Sequence, residues 1–84
     1  MGVYLVDRDL PRITAEGLAA LQRAEISASQ QLTAAGQPVR YMRSMFVPGE
    51  ARCMCLFEAE EEAAVVAVNE VAWRPFTRII EGLT

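Results

Sequence analysis

Six side chains of this sequence have the chemistry of a binding or catalytic site: Asp7, Cys53, Cys55, Asn69, Trp73 and Arg78. The chain contains no histidine and no lysine, so all eight of its basic residues are arginine. These absences exclude a Ser-His-Asp triad, a Schiff-base lysine and an imidazole metal ligand. A general base in this protein would therefore be an Asp, Glu, Tyr or Cys.

Asp7 and Arg78 are the pair for which we predict a catalytic role. Arg78 would hold an anionic or carbonyl-bearing ligand, and Asp7 would act as a base or as an orienting acceptor. We expect burial to raise the pKa of Asp7 toward the range in which it can move a proton. Asn69 and Trp73 would complete a polar corner with an aromatic wall. The alternative is an ordinary ion pair that closes a strand end.

Cys53 and Cys55 form a C-x-C pair, which we also place among the ligand-binding residues. Residues two apart on a strand are separated by roughly 6.5 Å and their side chains are parallel, so no disulfide is expected. Three interpretations stay open. The pair is two small buried hydrophobic residues, a redox or nucleophilic thiol, or half of a soft-metal site that a dimer completes with four thiolates.

Composition narrows the class of protein and its partners. The net charge of −3 and the pI near 4.8 argue against nucleic acid, which selects basic surfaces. No segment approaches the ~20 apolar residues that span a bilayer, and the start of the chain lacks the pattern of a signal peptide, so we expect no membrane partner and a cytoplasmic location. Residues 1–84 form a single predicted domain.

Six elements are predicted in the order β-α-β-β-α-β. Thr14 is a suitable helix N-cap and Gly36 a suitable helix end, segment 48–50 is a turn signal between two strands, and Pro75 stops the second helix. The predicted strands cover residues 2–8, 39–47, 52–58 and 76–83, and the predicted helices cover residues 14–35 and 60–71.

This order of elements predicts an α+β, ferredoxin-like split β-α-β fold. Right-handed crossovers give an antiparallel sheet in the order 4-1-3-2 with both helices on one face. Five of the candidate site residues then lie near one end of the sheet: Asp7, Cys53, Asn69, Trp73 and Arg78. That shared end is the reason for grouping them.

The strand pattern predicts that the sheet also has a partner. In the third strand Cys53, Cys55 and Phe57 point one way while Met54 and Leu56 point the other, so both faces are apolar. Two helices cover only one face. Because leaving large apolar side chains in water costs ~1.5–3 kcal/mol each, we expect a homodimer that closes sheet against sheet.

The space between the sheet and its partner is the predicted cavity for a small-molecule ligand. Tyr41 and Ser44, three residues apart on the second strand, would lie on opposite faces, so only one of them would face this cavity.

Three segments resemble a known family: residues 4–11 (YLVDRDLP), 53–59 (CMCLFEA) and 75–79 (PFTRI). They are similar to a family of small bacterial proteins that is catalogued as a domain of unknown function and includes nickel-binding members of ferredoxin-like fold. The resemblance spans nearly the whole chain and implies a ferredoxin-like dimer, without implying one activity.

The resemblance also bears on nickel. Positions that carry histidine in the nickel-binding relatives correspond here to Asp7, Asn69, Arg74 and Ile80. Imidazole is the ligand that suits nickel, so we expect no metal site of that kind and no cofactor.

Three functions follow. The first is a homodimer that binds a small molecule between sheet and partner. The second is a cofactor-free enzyme of the cyclase or isomerase type, as dimeric α/β barrels permit, with Asp7 as its base. The third is nickel binding, against which the missing histidines weigh. Whether the protein is an enzyme stays open.

Overall fold

Six elements follow one another in the predicted order in the computed structural model, which describes residues 1–82. They are β1 (Gly2–Asp9), α1 (Ala15–Ala34), β2 (Val39–Val47), β3 (Arg52–Ala59), α2 (Glu62–Val71) and β4 (Arg78–Gly82). A single 3-10 turn over Pro48–Glu50 joins β2 to β3. The four strands pair antiparallel in the order β2-β3-β1-β4, which confirms the predicted topology.

The ends of α1 follow from its capping residues. The Thr14 side chain accepts a hydrogen bond from the Gly17 amide at 2.9 Å, as predicted for the N-cap. At the other end Gly36 has φ +94°, and the Gln37 amide donates to the Leu32 carbonyl at 2.9 Å, which is a Schellman ending. Within residues 1–82, neither helix is long and apolar enough to cross a bilayer.

Two predicted element starts differ from the structure by two residues, and the other described boundaries agree to within one residue. The helix α2 begins at Glu62 instead of residue 60, because Glu61 takes the extended N-cap conformation. The strand β4 begins at Arg78 instead of residue 76, since its pairing with β1 starts at Arg78 opposite Asp7. Pro75 just before it has no amide to pair. The predicted last residue of this strand, Leu83, lies outside the described residues.

The side chains of β2 alternate between the two faces of the sheet, and this alternation shifts by one residue at Met42. Tyr41 pairs with Phe57, and the next pair joins Arg43 to Leu56, so Met42 is an extra residue in a β-bulge. Tyr41 and Ser44 therefore lie on the same face, with their hydroxyl oxygens 2.7 Å apart. The prediction that they point to opposite faces is wrong for this reason.

The hydrophobic core lies between the sheet and the two helices. Its largest members are Phe57, Leu21, Val6, Val65 and Val68. The other face of the sheet, which we call the open face, carries Leu5, Met45, Met54, Leu56 and Ile80, and no element within residues 1–82 lies over it. Met45 on that face is 63% exposed.

The core predicts a contrast between two substitutions on the same helix. Leu21 is 1% exposed and Ile26 is 41% exposed. We expect Leu21→Ala to lower the free energy of unfolding by about 2–5 kcal/mol, because it removes buried methyl groups and leaves a cavity. We expect Ile26→Ala to lower it by less than ~1 kcal/mol. Urea denaturation measures both, and equal losses would contradict this description of the core.

Candidate functional site

A buried polar cluster lies between the sheet and the helices, built from Arg8 of β1, Glu25 of α1 and Asn69 of α2. All three residues are at most 2% exposed. One guanidinium nitrogen of Arg8, Nη2, lies 2.7 Å from Glu25 Oε1 and 2.7 Å from Asn69 Oδ1. Asn69 Nδ2 donates to the Val65 carbonyl at 2.8 Å, which fixes the orientation of the amide. The guanidinium group of β1 is therefore contacted by one polar side chain from each of the two helices.

Sequence reasoning missed Arg8 and Glu25, although the pattern contains a signal for each. Arg8 follows Val6 by two residues, so it shares the helix-facing side of β1. Glu25 comes four residues after Leu21 and three before Ala28, which places it on the buried stripe of α1. A charged residue at a core position of an element indicates a buried partner.

This cluster is only partly satisfied. Arg8 Nε and Glu25 Oε2 are buried and have no hydrogen-bond partner. Burial disfavours the Glu25 carboxylate more than Arg8 favours it, and the pKa of Glu25 is raised from its ordinary value of 4.5 to about 7. A buried ion pair of this kind stabilises the fold little, but removing one partner leaves an uncompensated buried group.

The two thiols lie beside this cluster. Cys53 and Cys55 are fully buried on the helix-facing side of β3, and their Sγ atoms are 4.0 Å apart with no disulfide. Cys53 pairs directly opposite Arg8, and the Ser44 hydroxyl lies 3.0 Å from Cys55 Sγ. The contact with Cys53 lowers the pKa of Cys55, and the contact with Cys55 raises the pKa of Cys53.

Asp7 lies on the open face, between two arginines. Arg52 donates to both carboxylate oxygens, with its Nε 3.3 Å from Oδ1, and Arg78 Nε lies 3.3 Å from Oδ2. Hydrogen bonds from Arg52 and then Arg78 outweigh the effect of burial, so the pKa of Asp7 is lowered. The expectation of a raised pKa for Asp7 is wrong, because these hydrogen bonds outweigh the effect of burial. The structure brings Asp7 and Arg78 together and adds Arg52.

The floor beside this triad is apolar. A cavity of about 250 Å³ opens on the same face, lined by Leu5, Arg43, Met45, Met54 and Leu56. The open face therefore combines an apolar floor with guanidinium groups, which is the composition of a site for an apolar molecule that carries a negative charge.

Asn69 and Trp73 lie on the other side of the sheet from Asp7. They line a separate cavity of about 550 Å³ with Glu70, Arg74, Pro75 and Phe76. Trp73 is 89% exposed and has φ +58°. The single polar corner predicted from the sequence is thus divided by the sheet: Asp7 and Arg78 face one way, and Asn69 with both cysteines faces the other.

The four positions that correspond to histidines of nickel-binding relatives do not converge into a metal site. Asp7 is held by two arginines, Asn69 is held by Arg8, and the side chains of Arg74 and Ile80 do not ligate nickel. Across residues 1–82, no three His, Cys, Asp or Glu side chains are grouped so that they could hold a metal ion.

Comparison with known proteins agrees with this architecture. A family profile described as nickel responsive protein SCO4226-like matches residues 4–81. The structure described as the crystal structure analysis of SCO4226 from Streptomyces coelicolor A3(2) is similar with a TM-score of 0.80. That similarity covers 93% of this chain and 91% of the other, at 19% sequence identity, and shows a shared fold. No curated protein matches the chain.

The raised pKa of Glu25 predicts how stability depends on pH. Between pH 4.5 and about 7 the unfolded chain loses the Glu25 proton while the folded protein keeps it. The free energy of unfolding should therefore fall with rising pH in this window, by on the order of 2–3 kcal/mol from this group.

Denaturant titration of the wild type and of Glu25→Gln at several pH values measures this dependence. The glutamine variant cannot titrate, so the difference in stability between the two proteins should change across the window. A difference that is constant from pH 4.5 to 7 would contradict the raised pKa.

Proposed function

This chain belongs to the SCO4226-like family, and from that premise we propose that it is a homodimer that binds a small organic anion between two facing sheets. The observation that carries the proposal is the open face, which is apolar, lies opposite both helices and bears arginines at its end. The free thiols of Cys53 and Cys55 suit the reducing cytoplasm, where we place the protein.

The dimer is supported by the size and chemistry of the open face. The chain measures 36 × 25 × 17 Å, so its broad face is large enough for the ~800 Å² per partner of a standard interface. A second copy presents an identical apolar surface. Two copies related by a two-fold axis cover each other's open face, so no further copy can add to the pair through this surface. The exposed Met45 and Ile80 would then be covered.

The class of ligand is supported by the charges on this face. Four of the eight arginines in the chain project from it: Arg40, Arg43, Arg52 and Arg78. Asp7 and Glu58 pair with three of these arginines, so the guanidinium groups on this face outnumber the carboxylates that they contact, although the chain as a whole carries a net charge of −3. Guanidinium groups recognise carboxylate and phosphate oxygens with paired hydrogen bonds, while the methionine and leucine floor suits an apolar body.

Binding is favoured over proton-transfer catalysis by the environment of Asp7. A general base works best with a pKa near the operating pH, whereas two arginines hold the pKa of Asp7 low. The role this supports is that of an acceptor that orients Arg52 and Arg78. Nickel is not favoured either, since the donor atoms of the chain do not suit that ion.

The dimer predicts a specific monomeric variant. Met54 lies on β3 in the open face, and we expect Met54→Glu to give a folded monomer, because each two-fold interface would then bury two carboxylates. Ile26→Glu places the same charge on an exposed position of α1 and should leave the dimer intact. Light scattering after size exclusion gives both masses. A dimeric Met54→Glu protein would refute this interface.

The ligand class predicts that an arginine contributes to binding. As a probe we choose 1-anilinonaphthalene-8-sulfonate, which has an apolar body and one anionic group. We expect Arg78→Ala to weaken its binding about tenfold, since a hydrogen bond to a charged group contributes ~1.5–3 kcal/mol. Arg23→Ala, on the exposed side of α1, is the matched control. Equal affinities of the two variants in a fluorescence titration would contradict the site.

A further inference from the structure

The two buried thiols form an arrangement that the proposed function does not use. Cys53 and Cys55 lie on the helix-facing side of the sheet, so a partner on the open face cannot add sulfur atoms to them. The four-thiolate site that the sequence leaves open is therefore not available in the proposed dimer. What the chain itself provides is one pair of Sγ atoms 4.0 Å apart, both with 0% exposed area.

We propose that Cys53 and Cys55 form a two-coordinate site for a soft monovalent cation, Cu(I). With metal–sulfur bonds of ~2.3 Å, an ion bound to both sulfurs would lie only about 1 Å from the line that joins them. For the linear arrangement that two-coordinate Cu(I) prefers, the two sulfurs would have to move apart by only about 0.6 Å. Thiolate sulfur is the donor type that selects Cu(I), whereas nickel binds to imidazole-type donors that this chain lacks.

Binding of Cu(I) changes the charge of this buried site. When the ion binds, each thiol releases its proton to solvent and forms one sulfur–copper bond, and the copper remains Cu(I). The site then carries a single negative charge. Arg8 pairs directly opposite Cys53 and also contacts Glu25 at 2.7 Å, and its guanidinium group contributes positive charge beside the sulfurs.

The number of ligands excludes common divalent ions at this position. Zinc requires four ligands, and among residues 1–82 no third Cys, Asp or Glu joins the pair in a metal-binding group. The Ser44 hydroxyl, 3.0 Å from Cys55 Sγ, contributes a hydrogen bond to the sulfur. The site is thus complete with two ligands, and that coordination number belongs to the soft monovalent ions.

An entry path is also present. A cavity of about 460 Å³ opens between α1 and β2, and Tyr41 is part of its lining. The Tyr41 hydroxyl contacts Ser44 at 2.7 Å, and Ser44 in turn contacts Cys55. Tyr41 and Ser44 therefore connect the lining of this cavity to the Cys55 sulfur.

The experiment is an anaerobic titration of the reduced protein with Cu(I) in competition with the coloured chelator bicinchoninate. We expect the wild type to withdraw one copper ion per chain and Cys53→Ala and Cys55→Ala each to lose this binding. Met42→Leu removes a sulfur from the bulge of β2 and should behave as the wild type. An equal concentration of Ni²⁺ should not displace the copper.

Copper K-edge X-ray absorption on the loaded wild type gives a second readout that needs no variant, which matters if an alanine variant fails to fold. We expect two sulfur ligands. Failure of the wild type to take copper from the chelator, retention of copper by either folded alanine variant, or a coordination shell of three or four sulfurs would each overturn the proposal.

Discussion

The arrangement of this protein depends on one constraint: its four-stranded sheet has two apolar faces, and both of the α-helices found in residues 1–82 pack on the same face. The helix-facing side buries Val6, Phe57 and the two thiols completely. The open face presents Met45 and Ile80 to solvent, with Leu5, Met54 and Leu56 half-buried on the same face. Exposed apolar patches on small proteins mark binding surfaces.

The same alternation of strand side chains sorts the polar groups into two sets. Asp7 and Arg8 are neighbours in sequence, yet their side chains lie on opposite sides of β1. Asp7 meets Arg52 and Arg78 on the open face, where guanidinium groups stay partly exposed and can contact a ligand. Arg8 meets Glu25 and faces the thiols in a closed layer, where its charge affects buried groups only.

The fold was predictable because its signals are local. Thr14, Gly36 and Pro75 set element ends through backbone chemistry, and the order of elements then restricts the topology to one sheet. The predicted family and ferredoxin-like fold are confirmed. The phase change at Met42 was not predictable, because nothing in the residue types of β2 requires a bulge there, and it reversed the expected relation of Tyr41 to Ser44.

The site was only partly predictable, for a physical reason. Strand order correctly places Asp7, Asn69 and Arg78 toward one end of the sheet, but nearness along the strands does not decide the side from which a ligand approaches. The face of the sheet toward which each side chain points decides it, and Asp7 points to the open face while Asn69 lies on the helix-facing side. The pKa of Asp7 depended on Arg52, which pairs with Asp9 on the adjacent strand and reaches back across one residue.

The open face as the dimer interface is the claim from which the ligand cavity follows. The most direct test is sedimentation equilibrium of the unmodified protein at micromolar concentration. A dimer closed through the open face should sediment as a particle of twice the 9.3 kDa chain mass that persists on dilution through this range. A particle of 9.3 kDa throughout would contradict it and would leave the arginines without an enclosed site.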